Sequence, residues 1–290
     1  MAEQTNIQKP QAAPAKKEVT SNVGGIKSAF WVIVVCFILA LIIFFFGLGL
    51  PSNFKVTPDT GLMNGFFTLD KEGPLNLAGT MFKGGVIVPV LLTCFLTVVV
   101  LSIERWIALG KAKGKGNTTK FVEDVKAALR NHDLAKAEDL CRKQSGTVGA
   151  VVYATLQKYK EMEKDTVLSK EQKVASIQAT LEEATALEMP ALQQNLPILA
   201  TLTTLGTLVG LFGTVLGMIK SFQALSASGA PDSTELSTGI SEALVNTALG
   251  IATAALALIG YNFYTNKIDN MTYAIDELGF ATVSTFSATH

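Results

Sequence analysis

Charge is scarce in this chain: 17% of its 290 residues are Asp, Glu, Lys or Arg, while 49% are hydrophobic. An ordinary soluble domain carries about a quarter charged residues, so much of the chain is expected to meet lipid. The mean hydropathy of +0.36 points the same way. The 24 basic and 24 acidic residues cancel, which leaves no global attraction to nucleic acid, and no such partner is expected. Histidine is limited to His132, in a polar segment, and His290, at the C-terminus. Metal chemistry through histidine is therefore not expected. The three cysteines, Cys36, Cys94 and Cys141, form no CxxC unit and no paired spacing, so neither a disulfide framework nor a zinc site is supported. No nucleophile–base set is visible. The chain is read as non-enzymatic, with no cofactor.

Long charge-free runs are what the chain has instead. They extend from Ser28 to Phe54, Gly84 to Ile103, Met189 to Ile219, and Leu236 to Asn266, the last interrupted only by Glu242. Each can supply the ~20 apolar residues that cross the hydrocarbon as a helix. Helices are required because lipid offers no partner to open backbone groups. The fold class is therefore an all-α integral membrane protein of about four transmembrane helices with a helical cytoplasmic extension. The first run is preceded by 27 residues and followed by no small-x-small site. It reads as a retained anchor rather than a signal peptide.

Lys9, Lys16, Lys17 and Lys27 precede the first run, and Arg105, Lys111, Lys113, Lys115 and Lys120 follow the second. The segment after Lys220, between the third and fourth runs, carries Asp232 and Glu235 but no base. Basic flanks stay cytoplasmic, which sets the expected order. Residues 1–27 form a disordered cytoplasmic tail, rich in Ala, Gln, Pro and Lys. Transmembrane helices follow at 28–50, 84–104, 196–221 and 237–265. Outer loops lie at 51–83 and 222–236, a cytoplasmic helical region at 105–195, and a cytoplasmic C-terminal tail at 266–290.

In the cytoplasmic region, FVEDVKAALRNHDLAKAEDLCRK places Phe121, Val125, Ala128 and Leu129, then Leu134, Ala137 and Leu140, at helical spacing with a break near Asn131. Two short helices are expected. A further helical stretch, EQKVASIQATLEEATALE, runs toward the third span. The basic run GKAKGKG is either a topogenic flank or a site for anionic membrane lipid. It lacks the spacing of a phosphate-binding P-loop.

The last two spans carry the chemistry. Gly206, Gly210, Gly213 and Gly217 recur at intervals of four, three and four, which puts them on one helix face and allows a neighbouring backbone to approach. Thr203, Thr207, Gly210 and Thr214 make an overlapping polar face. Two readings stay open for these threonines: bonding to carbonyls of their own helix, or lining a polar path. In the fourth span Glu242, Asn246 and Thr253 share a face, with Thr247 beside Asn246. A carboxylate in lipid is costly and usually faces a bundle interior or a water path. Burial favours its neutral form, and a group that can be neutral or charged is suited to passing protons. Glu242 lies roughly 10 Å along the helix from Glu235, nearer the outer side, so water or another chain must cover the rest of the bilayer. The competing reading is an interfacial glutamate that reaches back to the headgroups.

GLFGTVLGM (residues 210–218) followed by GISEALVNTALGIATAALALIGYN (residues 239–262) resembles the MotA/TolQ/ExbB proton-channel family, on its ExbB/TolQ branch. SIERW (Ser102–Trp106) and the charged helical segment after it also fit. The similarity covers about residues 84–275. It implies an all-helical ring, typically a homopentamer, around ExbD-like single-span partner helices in the bacterial inner membrane. Such a complex uses the proton-motive force to act on a TonB-like protein that drives outer-membrane uptake. TolQ-like relatives serve envelope integrity instead.

By motif, Glu242 matches the family's pore glutamate, Thr247 the threonine five residues later, and Thr214 the threonine of the preceding span. With Asn246, Thr253 and Thr207 these make the expected proton path. The resemblance also implies that the partner helix supplies an aspartate; this chain has none in any span. Two features depart from the family: AALALIGYN lacks the usual late proline, and Ser28–Leu50 adds a fourth span. A gliding or flagellar stator and a non-conducting membrane scaffold are the alternatives. A solute transporter is disfavoured by the absence of an internal repeat. Sodium coupling is disfavoured by the lack of further oxygen-rich charge.

Overall fold

The computed structural model describes residues 28–55, 73–227 and 233–289. The expected tail at 1–27, most of the 51–83 loop and part of the 222–236 loop lie outside the described residues. Nine α-helices appear among the described residues: α1 (Ala29–Ile42), α2 (Leu77–Lys83), α3 (Ile87–Ala112), α4 (Thr118–Arg130), α5 (Leu134–Gln144), α6 (Gly146–Lys164), α7 (Lys170–Gln193), α8 (Leu196–Ala227) and α9 (Ser233–Thr289). No strand forms there; Phe54 and Pro74 make one isolated bridge. Four helical stretches are long and apolar enough to cross a membrane. They are Ala29–Leu48, Ile87–Ala112, and windows within Lys170–Ser226 and Leu236–Thr289. The chain divides into two compact units, one within residues 23–112 and 186–273, the other within 113–185 and 274–290.

The first unit holds the apolar helices. Small residues let α1 lie close to its neighbours: Cys36 and Ala40 are buried, whereas Phe30, Trp31, Val35 and Ile38 stay exposed, as lipid-facing side chains do. Past Ile42 the helix widens into a π turn, Ile43–Leu48. Widening frees carbonyls, and Asn53 satisfies them, donating Nδ2 to Gly47 O (3.1 Å) and Leu48 O (3.0 Å). Asn53 Oδ1 in turn accepts from Asn76 Nδ2 at 2.9 Å, and Asn76 caps α2 by accepting from Gly79 N at 3.0 Å. Phe44, Phe54, Phe82 and Val88 pack into one cluster, with Phe44 and Phe82 stacked at 4.6 Å. The added first span is thereby tied to α2, which ends at Gly84 and Gly85.

Along α3, buried Val88, Leu91, Val98, Leu101 and Arg105 recur at helical spacing. The buried Arg105 guanidinium is held by Glu104 (Nε–Oε2 2.6 Å) and donates Nη1 to Ala191 O at 3.4 Å. Tyr264 donates its hydroxyl to Ser102 O at 2.6 Å, and Trp106 stacks on Phe263. Gly85 and Arg105 are separated by roughly 30 Å of helix, close to the thickness of a hydrocarbon core.

The second unit contains α4 and α5, capped by Asn117 and Asp133, and α6. The break expected near Asn131 falls there, with His132 at φ 57. In the link from α3 to α4, Lys115 N donates to Gln144 O, at the end of α5, at 2.7 Å. Gly114 (φ +75) sits against Gln144 and Ser145, where a Cβ would overlap their carbonyls. The GKAKGKG run thus ends α3 at Ala112 and continues into a packed turn. Its glycine at 114 is needed for close approach. Tyr159, Met162, Ile177 and Phe286 form the apolar cluster of this unit. The segment expected as a tail from 266 continues as helix to Thr289. The helix approaching the third span ends at Gln193, and α8 starts at Leu196 after Asn195 turns to φ 63.

A candidate ion-coupling site on α8 and α9

Glycines bring α8 and α9 into backbone contact. A Cβ added at Gly210 would lie 3.0 Å from both Gly250 Cα and Asn246 O; one at Gly206 would lie 3.0 Å from Gly250 O. At Gly217 it would meet Gly239 O at 2.8 Å, and at Gly213 the Asn246 side chain at 2.6–2.8 Å. All four glycines of the α8 stripe therefore face α9, and larger residues would force the helices apart.

This close approach sets the polar residues. Glu242 is 7% exposed, although it stands in an apolar span. It is not solitary: Lys220 Nζ donates to Oε1 at 2.8 Å and to Oε2 at 3.1 Å. Glu242 is met by a base on α8 and covered by the corner between α2 and α3. A Cβ at Gly85 (φ +75) would overlap Glu242 Oε1 and lie 3.1 Å from Cδ. One turn on, the fully buried Asn246 donates Nδ2 to Gly84 O at 3.0 Å, while its Oδ1 has no hydrogen-bond partner. Thr214 and Thr247 share a hydroxyl–hydroxyl hydrogen bond, and Thr214 Oγ1 also reaches Gly210 O (3.2 Å) and Ala243 O (3.3 Å). Thr253, fully buried, donates to Leu249 O at 2.8 Å.

Of the candidate proton-path residues, Glu242, Asn246, Thr214, Thr247 and Thr253 thus gather along the α8–α9 seam, over roughly 16 Å of helix rise. Thr207 does not join them. It is exposed and donates to Thr204 O at 2.8 Å, as Thr203 does to Ala200 O at 2.6 Å. Lys220, Gly84 and Gly85 were not singled out by sequence reasoning. Lys220 had one legible signal: it ends the third charge-free run, level with Glu242 if the two helices pair antiparallel.

The stretch 144–277, which contains this seam, matches the model of the MotA/TolQ/ExbB proton channel family. Over that stretch the chain is similar to the members of that family. The Tol-Pal system protein TolQ of Pseudomonas aeruginosa is 26% identical over 184 residues, 59% of this chain and 77% of that protein. The biopolymer transport protein ExbB of Helicobacter pylori is 42% identical over 78 residues, 27% of this chain and 54% of that protein. The ExbB of Pseudomonas putida is 24% identical over 205 residues, 69% of this chain and 60% of that protein. These relatives support a likeness to the ExbB/TolQ branch of the family. Its four apolar helices, together with this similarity, support a multi-pass membrane protein. The seam offers a carboxylate that can take a proton, a base beside it, and hydroxyl and amide groups deeper in. No group of three His, Cys, Asp or Glu side chains fit for a metal occurs among the described residues.

Proposed function

We propose that the chain is an ExbB-like, non-enzymatic subunit of a proton-driven motor in a bacterial inner membrane. Copies of it form a ring, most simply a pentamer, around ExbD-like single-span helices, and the complex delivers the energy of proton flow to a TonB-like protein that powers outer-membrane transport. Glu242 takes part in the energising step. The observation that carries this reading is a carboxylate 7% exposed within an apolar span, on a glycine-packed helix pair inside the family-matched stretch. Keeping an ionisable group there is costly, and such groups mark ion paths. The Lys and Arg flanks support cytoplasmic N- and C-termini.

Two observations favour other readings of the same site. The TolQ of Pseudomonas aeruginosa is matched over 77% of its length, against 54% and 60% for the ExbB proteins of Helicobacter pylori and Pseudomonas putida, which favours a TolQ-like role in envelope integrity. The Lys220 pairing satisfies Glu242 within the chain, which favours a scaffold in which the pair only fixes helix packing. The test is Glu242→Gln at the native locus, with growth on a nutrient taken up through a TonB-dependent receptor and co-purification of the complex. Lost growth with an intact complex supports the ExbB-like role. Normal growth on that nutrient removes it. Detergent sensitivity in its place favours the TolQ-like role.

A further inference from the structure

Lys220 holds both oxygens of Glu242, at 2.8 and 3.1 Å. Its side chain is 57% exposed, against 9% for Glu242, so the base enters from the rim on a flexible apolar stem. Across the carboxylate lies Gly85, where a Cβ would overlap Oε1 and stand 3.5 Å from Lys220 Nζ. Carboxylate, ammonium and glycine backbone fill one corner, and the space beside the carboxylate already contains a cation.

A proton and a metal ion meet this corner differently. A proton adds to one oxygen of Glu242 and gives the neutral acid. Lys220, still an ammonium, then loses its ion pair and can swing to the rim. A sodium ion must leave the carboxylate charged and surround itself with several oxygens. Among the described residues, Asn246 Oδ1 on the same face is a fully buried side-chain acceptor without a hydrogen-bond partner. To use it together with Glu242, sodium would have to displace a cation tethered in place, which competes at high effective concentration.

We propose that Lys220 is a specificity-determining residue: a tethered cation that excludes sodium from Glu242 while leaving the carboxylate open to protons. This rests on the proton-channel reading. Right-side-out membrane vesicles of the native host, given an inward ion gradient, test it with the whole complex. Wild-type proton uptake should not change when sodium replaces choline at constant ionic strength. Lys220→Gln, with assembly verified by co-purification, should raise uptake of radiolabelled sodium roughly tenfold, the lower end expected for losing a hydrogen bond between charged groups. Lys220→Arg, which keeps the tethered charge, should keep sodium out.

The proposal is overturned if assembled Lys220→Gln vesicles admit no more sodium than wild type, or if wild-type uptake already responds to sodium. The choline replacement decides the matter even where Lys220→Gln does not assemble. Glu242→Gln vesicles separate the two claims. Proton uptake that survives that change removes Glu242 from the proton path, and with it the reading on which this proposal rests. Proton uptake that it abolishes, with sodium-tight Lys220→Gln vesicles, removes only the role of Lys220.

Discussion

Gly85→Ala should dislodge Glu242 and destabilise the protein, although it adds a single methyl group. Two contributions follow from the structure. Gly85 has φ +75, and holding an L-residue in the left-handed region costs about 1–2 kcal/mol. The new Cβ would overlap Glu242 Oε1, with Cδ at 3.1 Å and Lys220 Nζ at 3.5 Å, so the carboxylate must leave its ion pair. An exposed pair is worth about 0–1 kcal/mol, and breaking a buried one costs about 3–5 kcal/mol. With Glu242 buried and Lys220 57% exposed, a value of about 1–2 kcal/mol is reasonable. The sum is about 2–4 kcal/mol, or a fall of roughly 5–15 °C in the unfolding midpoint.

Gly110→Ala is the internal control. A Cβ there meets nothing within 4 Å, and the exchange in a helix gains up to ~1 kcal/mol. Heating the detergent-solubilised variants and measuring the fraction that stays monodisperse would rank them. The reasoning is refuted if Gly85→Ala is as heat-stable as Gly110→Ala.

Three further outcomes can be checked with the same preparations. Gly250→Val should cost about 1–3 kcal/mol or more, because a Cβ at Gly250 already lies 2.5 Å from Gly206 O and 2.8 Å from Gly210 Cα; an unchanged midpoint would contradict the glycine seam. Arg105→Met should cost about 3–5 kcal/mol, since it removes the guanidinium from the buried ion pair with Glu104 and the donor from Ala191 O; equal heat stability would show that the buried guanidinium is dispensable. Burial, reinforced by the charge of Glu138, pushes the Cys141 thiol up to about 12. Folding therefore favours the neutral thiol: its contribution is complete below the unfolded value near 9.0 and is lost as pH rises toward 12. Iodoacetamide at pH 8 should label Cys141 only after denaturation, and rapid labelling of the folded protein would contradict its burial.

Much of the span architecture was legible because lipid imposes a coarse requirement: runs free of charge, long enough to cross. Helix periodicity also located α4 and α5, where Phe121, Val125 and Ala128 are buried and the chain breaks at His132. The partner of Glu242 was not legible from α9 alone, since Lys220 belongs to another helix. Once α8 and α9 are paired antiparallel, the partners fall into register. Lys220 with Glu242, Thr214 with Thr247, and Gly210 with Gly250 are each centred within about a residue of position 230. Thr207 was read as a path residue from its spacing to Thr214. The glycine face at 206, 210, 213 and 217 meets α9 instead, and turns Thr207 outward. The Gly84–Gly85 corner was hidden because its role depends on a positive φ and on a residue more than 150 positions away.

Proton uptake by right-side-out vesicles carrying Glu242→Gln, compared with wild type at equal amounts of assembled complex, tests the central claim most directly. The account predicts that uptake falls to the level of vesicles lacking the protein, because glutamine keeps the shape and hydrogen-bonding capacity of the acid but cannot take a proton. Uptake at the wild-type rate in the assembled Glu242→Gln complex would contradict it, leaving Glu242 as a packing residue beside Lys220.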